Sequence, residues 1–161
     1  MTKKTAFLGM FTALALVASY VESQVPFYFG APGIKLGLAN LVTVIILYRG
    51  TWKDAALVSA LRILLGGFLF GNLFSILYSF AGAILSFLVM VLLKKTKGFS
   101  IVGVSIAGGV FHNLGQIVAA VFLMENGSVM YYFPVLMVAG IITGTLIGIG
   151  SREVLRRIPE M

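Results

Sequence analysis

His112 and Gln116 stand four residues apart, so on a helix they share one face, with Asn113 at its edge. An imidazole flanked by two carboxamides can donate and accept hydrogen bonds to a polar ligand. Arg62 adds a permanent cation whose planar fork grips carboxylate or phosphate oxygens two at a time. Lys35, Asn40 and Asn72 supply further donors and acceptors. These residue types offer recognition rather than bond-making. No phosphate-binding glycine loop, GxSxG, HExxH or paired acidic motif occurs. A single histidine without nearby carboxylates or thiolates lacks the ligands for a metal, and no Asp-rich run would hold a diphosphate through magnesium. The expectation is a protein that is not an enzyme and uses no metal and no cofactor.

Each of these polar residues lies in or beside a long apolar run, and composition says what those runs are. Of 161 residues, 60% are hydrophobic and 11% charged, with a mean hydropathy of +1.06. Soluble domains run at about 25% charged, and a chain this small needs a large polar surface to stay in water. A soluble monomer, a nucleic-acid-binding domain and a disordered tail are thereby excluded. With no cysteine there is no disulfide framework and no thiolate site. Six apolar runs, at 5–24, 36–48, 55–70, 73–93, 101–124 and 132–150, predict an all-α membrane protein: one integral domain over 1–161, folded as a compact six-transmembrane-helix bundle in the lipid bilayer. The second and third runs are short for spans, and the break at Gly71-Asn72 is tight. The first run ends at Glu22-Ser23-Gln24 without a cleavage pattern, so it reads as a span and not a signal peptide.

The net charge of +7 would suggest a nucleic-acid partner in a soluble chain. Along six spans it reads differently. Lys3, Lys4, Arg49, Lys53, Lys94, Lys95, Lys97, Arg152, Arg156 and Arg157 all fall on one side, which the positive-inside rule makes cytoplasmic, with both termini inside. Trp52, and Tyr131 to Phe133 at the other border, suit aromatic anchors. Only Lys35 and Arg62 escape the pattern. Arg62 lies eight residues past Asp54, about 12 Å into its helix, and charges at such depth are costly and tend to be functional. Glu22, Lys35, Asn40, Asn72 and Gln116 fall in the outer half and Arg62 and His112 near the midplane, an arrangement suited to a cavity open to the outside. The plainer alternatives are an arginine that locks the bundle and a histidine bonded in its core.

The connection at 25–35 holds Pro26, Phe27, Tyr28, Phe29 and Gly33. It suits a lid over the cavity, with Tyr28 stacking on the ligand, or a loop lying on the headgroups. Small-residue stripes occur at Gly9-x3-Ala13 and Ala15-x3-Ser19, at Ser75, Ser79, Gly82 and Ser86, and at Gly140-x3-Gly144-x3-Gly148. In the fourth and sixth spans they read as helix packing.

The stretches PGIKLGLAN at 32–40, LRILLG at 61–66 and FHNLGQ at 111–116 resemble the Gx transporter family, also catalogued as heptaprenyl diphosphate synthase component I. That family is similar to the S components of energy-coupling factor (ECF) vitamin transporters. The resemblance implies an S-component-like bundle in the bacterial plasma membrane that takes up a small anionic, vitamin, flavin or isoprenoid-type ligand from the outer face. It also implies an energy-coupling module docked on the first helix at Gly9 and Ala13. The alternative is a non-catalytic membrane component associated with heptaprenyl diphosphate or menaquinone biosynthesis, or with a flavin-linked redox assembly, whose partner is a prenyltransferase or redox protein.

Overall fold

The structure, a computed structural model, describes residues 3–24 and 37–158. The described chain is helical throughout: α1 (Lys3–Gln24), α2 (Leu38–Arg49), α3 (Trp52–Phe70), α4 (Leu73–Thr96), α5 (Ile101–Met124) and α6 (Phe133–Arg157), with a 3₁₀ turn at Gly127–Tyr132 before α6. Side-chain caps mark several helix starts, where the first N–H groups lack intrahelical partners. The Thr51 hydroxyl accepts from the Asp54 N–H at 3.2 Å while the Asp54 carboxylate accepts from the Thr51 N–H at 3.1 Å, a reciprocal box. Ser100 Oγ accepts from Gly103 N–H at 3.1 Å.

Four helices (α1, α4, α5, and α6 with the turn before it) are long and apolar enough to cross a membrane. Six crossings were expected, and the other two helices show why length alone does not supply them. At twelve residues α2 spans about 18 Å, short of the ~30 Å hydrocarbon core. Helix α3 has nineteen residues but carries Lys53, Asp54 and Arg62. On the outer faces Phe68 and Phe122 each keep 77% of their surface exposed, as expected of side chains meeting lipid and not water.

Helix α2 occupies the middle. It touches α1, α3 and α6, seven of its twelve residues are buried, and none is exposed. Val42, Val44, Ile45, Ile46 and Leu47 pack there with Phe11, Ala15, Ala55, Val58, Val104 and Ile147. The other organising seam joins α4, α5 and α6 through glycines. A methyl placed on Gly144 would lie 2.7 Å from Ile106 Cα and 2.8 Å from the Ser105 carbonyl oxygen, and one on Gly115 would lie 2.5 Å from the Ala81 carbonyl oxygen. Gly140 and Gly148 press equally on the α5 backbone. The glycine repeat of α6 is thus a packing stripe, as its spacing suggested.

One end of the bundle gathers basic residues. Lys4 Nζ lies 2.9 Å from the Asp54 carboxylate. Arg49 donates to the Leu155 and Ile158 carbonyls at the end of α6, and Lys94 donates to the Leu47 carbonyl at the end of α2. These contacts bring the start of α1 and α3 together with the ends of α2, α4 and α6.

Two expectations follow. Gly144→Ala forces its methyl into backbone that cannot yield and lowers unfolding stability by about 1–3 kcal/mol. Gly9→Ala meets open space and is neutral or stabilising by up to about 1 kcal/mol; thermal unfolding of the two variants distinguishes them. The Lys4 ammonium and then the Thr51 hydroxyl hold the Asp54 carboxyl below its ordinary value of 3.8. Because the folded value is the lower one, the stabilisation is complete above the unfolded value and fades as pH falls towards the folded one. Asp54→Asn therefore costs about 1 kcal/mol at neutral pH and flattens the acid limb of a stability-versus-pH curve.

Candidate functional site

Between the α1–α3 half and the α4–α6 half lies a cavity of about 100 Å³, and all six helices contribute to its wall. Asn40 reaches it from α2, Arg62 from α3, and His112, Asn113 and Gln116 from α5. Their convergence follows from register. Arg62 sits about 15 Å from the start of α3 and about 12 Å from its end, and His112 sits near the middle of α5. The close seam at Gly82 sets the α5 face: a methyl there would fall 2.8 Å from the His112 carbonyl oxygen and 2.7 Å from Gln116 Cγ. Any larger residue at 82 would push the His112–Gln116 turn away from α4.

Arg62 is the electrostatic centre of the cavity. Its Nη2 donates to Asn40 Oδ1 at 3.5 Å, and its buried Nε finds no acceptor among the described residues. Glu22 of α1 also lines the cavity and lies close enough to act on the Arg62 charge. The same carboxylate accepts from the Gly37 N–H, tying the end of α1 to the start of α2. Gly37 has φ +73° and faces Ile147, so a larger residue there would be both strained and crowded.

The remaining expected residues are placed as follows. Asn113 lines the cavity, but its amide donates to the Leu136 carbonyl at 2.6 Å and so joins α5 to α6. Asn72 is not among the lining residues; its side chain accepts from the Ser75 N–H at 2.8 Å and caps α4. The break beside Gly71 leaves the first N–H groups of α4 without helical partners, and a short carboxamide satisfies one of them. Gly9 and Ala13 lie exposed on the outer face of α1, whereas Ala15 is 1% exposed and faces the core. Lys35, Pro26, Phe27, Tyr28, Phe29 and Gly33 fall outside the described residues.

Glu22, expected in the outer half, lines the wall, and further polar residues join it that were not expected there: Ser19 and Ser23 of α1, Ser79 and Ser86 of α4, Ser105 of α5 and Thr143 of α6. The spacing of Ser19, Glu22 and Ser23 at i, i+3 and i+4 marks one helical face and could have found them. Ser79 and Ser86, two turns apart, belong to the stripe read as packing; Gly82 does pack, while the serines either side of it face the cavity. A second, smaller cavity shares Ser19, Ser23, Arg62 and Ser79 and runs toward Gly66, Gly67, Phe70, Gly71 and Ser75. It leads to the end of the bundle opposite the basic one.

The family model for heptaprenyl diphosphate synthase component I matches residues 11–154. The chain belongs to that family. The matched region begins two turns into α1 and ends within the last turns of α6, so it contains every residue that lines the cavity. Neither the curated proteins nor the solved structures include a match.

The absence of native cysteine makes the cavity directly testable. Single substitutions Ser23→Cys and Ser79→Cys should react with a water-soluble thiosulfonate reagent. Ser151→Cys, at a position 0% exposed, should stay unlabelled, and mass spectrometry of the purified protein reads the difference.

Proposed function

We propose that this member of the family is a membrane-embedded binding protein for a small ligand, acting in uptake in the manner of a transporter S component and not as an enzyme. The observation that carries the reading is a cavity walled by all six helices with Arg62 at its centre. A cation costs several kcal/mol inside a bilayer, and a cavity of polar residues around it supports a ligand as its second reason for being there. On this reading all six helices belong to the membrane domain, with both termini cytoplasmic in a bacterial plasma membrane and the cavity opening outward. The basic end then faces the cytoplasm, as the positive-inside rule requires. The exposed Gly9 and Ala13 face of α1 is where an energy-coupling partner would dock.

A second reading takes the family description at its word: a non-catalytic membrane component of a heptaprenyl diphosphate synthase, serving menaquinone synthesis or a flavin-linked redox assembly. It predicts co-purification with a soluble prenyltransferase or redox protein, and no ligand-induced stabilisation.

Thermal-shift screening of the purified protein against vitamins, flavins and prenyl diphosphates separates the two, because a ligand that binds only the folded state raises its melting temperature. The expected result is stabilisation by one chemical class, lost in Arg62→Ala. An undiminished shift in Arg62→Ala would remove Arg62 from the site.

A further inference from the structure

Two cavities that share part of their wall meet at a neck. The main cavity and the smaller one have Ser19 and Ser23 of α1, Arg62 of α3 and Ser79 of α4 in common. These four side chains come from three helices, so they ring the junction. Beyond them the smaller cavity is walled by Gly66, Gly67, Phe70 and Gly71 of α3 and Ser75 of α4. The wall there leaves room: a methyl on Gly66 would touch only Leu16, at 3.9 Å. The far limit is the α3–α4 turn, where Gly71 is exposed. Tyr20 of α1 packs on Phe70 with ring centroids 5.0 Å apart and closes the α1–α3 side. The joints around the main cavity are held shut. Glu22 at the end of α1 accepts from the Gly37 N–H at the start of α2, and Gly37 in turn faces Ile147 of α6. Asn113 ties α5 to the Leu136 carbonyl of α6, and α4 meets α5 closely at Gly82 and Gly115. Among the described residues, the smaller cavity therefore continues the main one to the end away from the basic residues.

Charge is ordered along this path. Arg62 borders both cavities, whereas Glu22 borders the main one alone. A molecule arriving from the turn therefore meets a cation before any anion. The neck is also short of partners: Arg62 Nε and Ser19 Oγ are buried and find none among the described residues. Buried polar groups left unpaired are costly and are normally satisfied, and an oxygen-bearing anion at the neck can accept from both. Inside a bundle of apolar helices, where charges are poorly screened, one cation at a constriction draws anions in and turns cations back.

We propose that the smaller cavity is the way into the main one, and that Ser19, Ser23, Arg62 and Ser79 form a charge-selective neck that admits small anions and rejects cations. Arg62 then governs the rate of entry as well as the hold on whatever has entered. This rests on the ligand-binding reading above and adds to it the route and the charge of what is let through.

The test needs no ligand, because the chain has no native cysteine. Thr143 lines the main cavity alone and Ser75 the smaller one alone, so Thr143→Cys reports on the far side of the neck and Ser75→Cys on the near side. Ser105→Cys replaces Thr143→Cys if the latter does not fold. Each purified variant is treated with the anionic sulfonatoethyl and the cationic trimethylammonioethyl methanethiosulfonate, and each rate is divided by that reagent's rate with free 2-mercaptoethanol. At Thr143→Cys the anion should be favoured by about tenfold or more, and adding Arg62→Gln should bring the ratio to about one or below. Gly66→Phe and Ser75→Phe, two independent obstructions of the smaller cavity, should each slow both reagents at Thr143→Cys by about tenfold while leaving their ratio unchanged. A ratio near one at Thr143→Cys without the Arg62 substitution overturns the charge filter. Undiminished rates in both obstructed variants overturn the route. No reaction at Thr143→Cys or Ser105→Cys, with Ser75→Cys reactive, shows that nothing passes the neck and overturns both. A protein that passes these tests yet is stabilised by no small molecule retains the neck and loses the ligand-binding reading.

Discussion

A guanidinium in the middle of a bundle of apolar helices has no bulk water to solvate it, so the surrounding protein must provide the polarity. Arg62 imposes that requirement on every neighbouring element. Asn40 of α2 turns its carboxamide oxygen toward the charge, Glu22 of α1 brings a carboxylate within reach, and serines from α1 and α4 face the same space. Among the described residues the buried polar side chains are Thr12, Thr43, Asp54, Ser59, Ser86, Ser105, Gln116 and Ser151. Of these, Ser86, Ser105 and Gln116 lie on the cavity wall.

The scaffold around that charge is built in two styles. Helices α4, α5 and α6 meet backbone to backbone, with glycines at 109, 115, 140, 144 and 148 removing the side chains that would keep them apart. Such seams exchange many small dispersion contacts and hold a fixed separation. The α1–α3 half instead packs bulky aliphatic side chains around α2. The cavity lies where the glycine seam meets the aliphatic cluster around α2, and its polar wall takes residues from both sides, the charged Glu22 and Arg62 from the α1–α3 half.

Hydropathy read helix positions well where an apolar run and a helix coincide. Helix α5 has the expected limits, and α4 begins at the expected Leu73. Helix α6 continues to Arg157, past the apolar run, because Arg152 to Arg157 extend the helix as a polar end. The convergence of Asn40, Arg62, His112 and Gln116 was also legible, since depth along each run can be counted from the charged ends. Asn72 was not, because polarity does not say whether a carboxamide faces a cavity or caps the adjoining helix. Ser79 and Ser86 were hidden by their size: a small polar residue fits a packing seam and a cavity wall equally well, and only the partner across from it decides.

Helix α2 carries a consequence for how this sequence can vary. An apolar residue facing lipid can be exchanged for another at little cost, since acyl chains adapt to any shape. Every residue of α2 is at least partly covered by protein, and protein interiors are close-packed and answer to a single methylene. The outer faces of α1, α4 and α6 can therefore drift freely among Leu, Ile, Val and Phe. The twelve residues of α2 have no side on which such drift is neutral, so the least membrane-like helix in length is the one whose side chains are most narrowly specified.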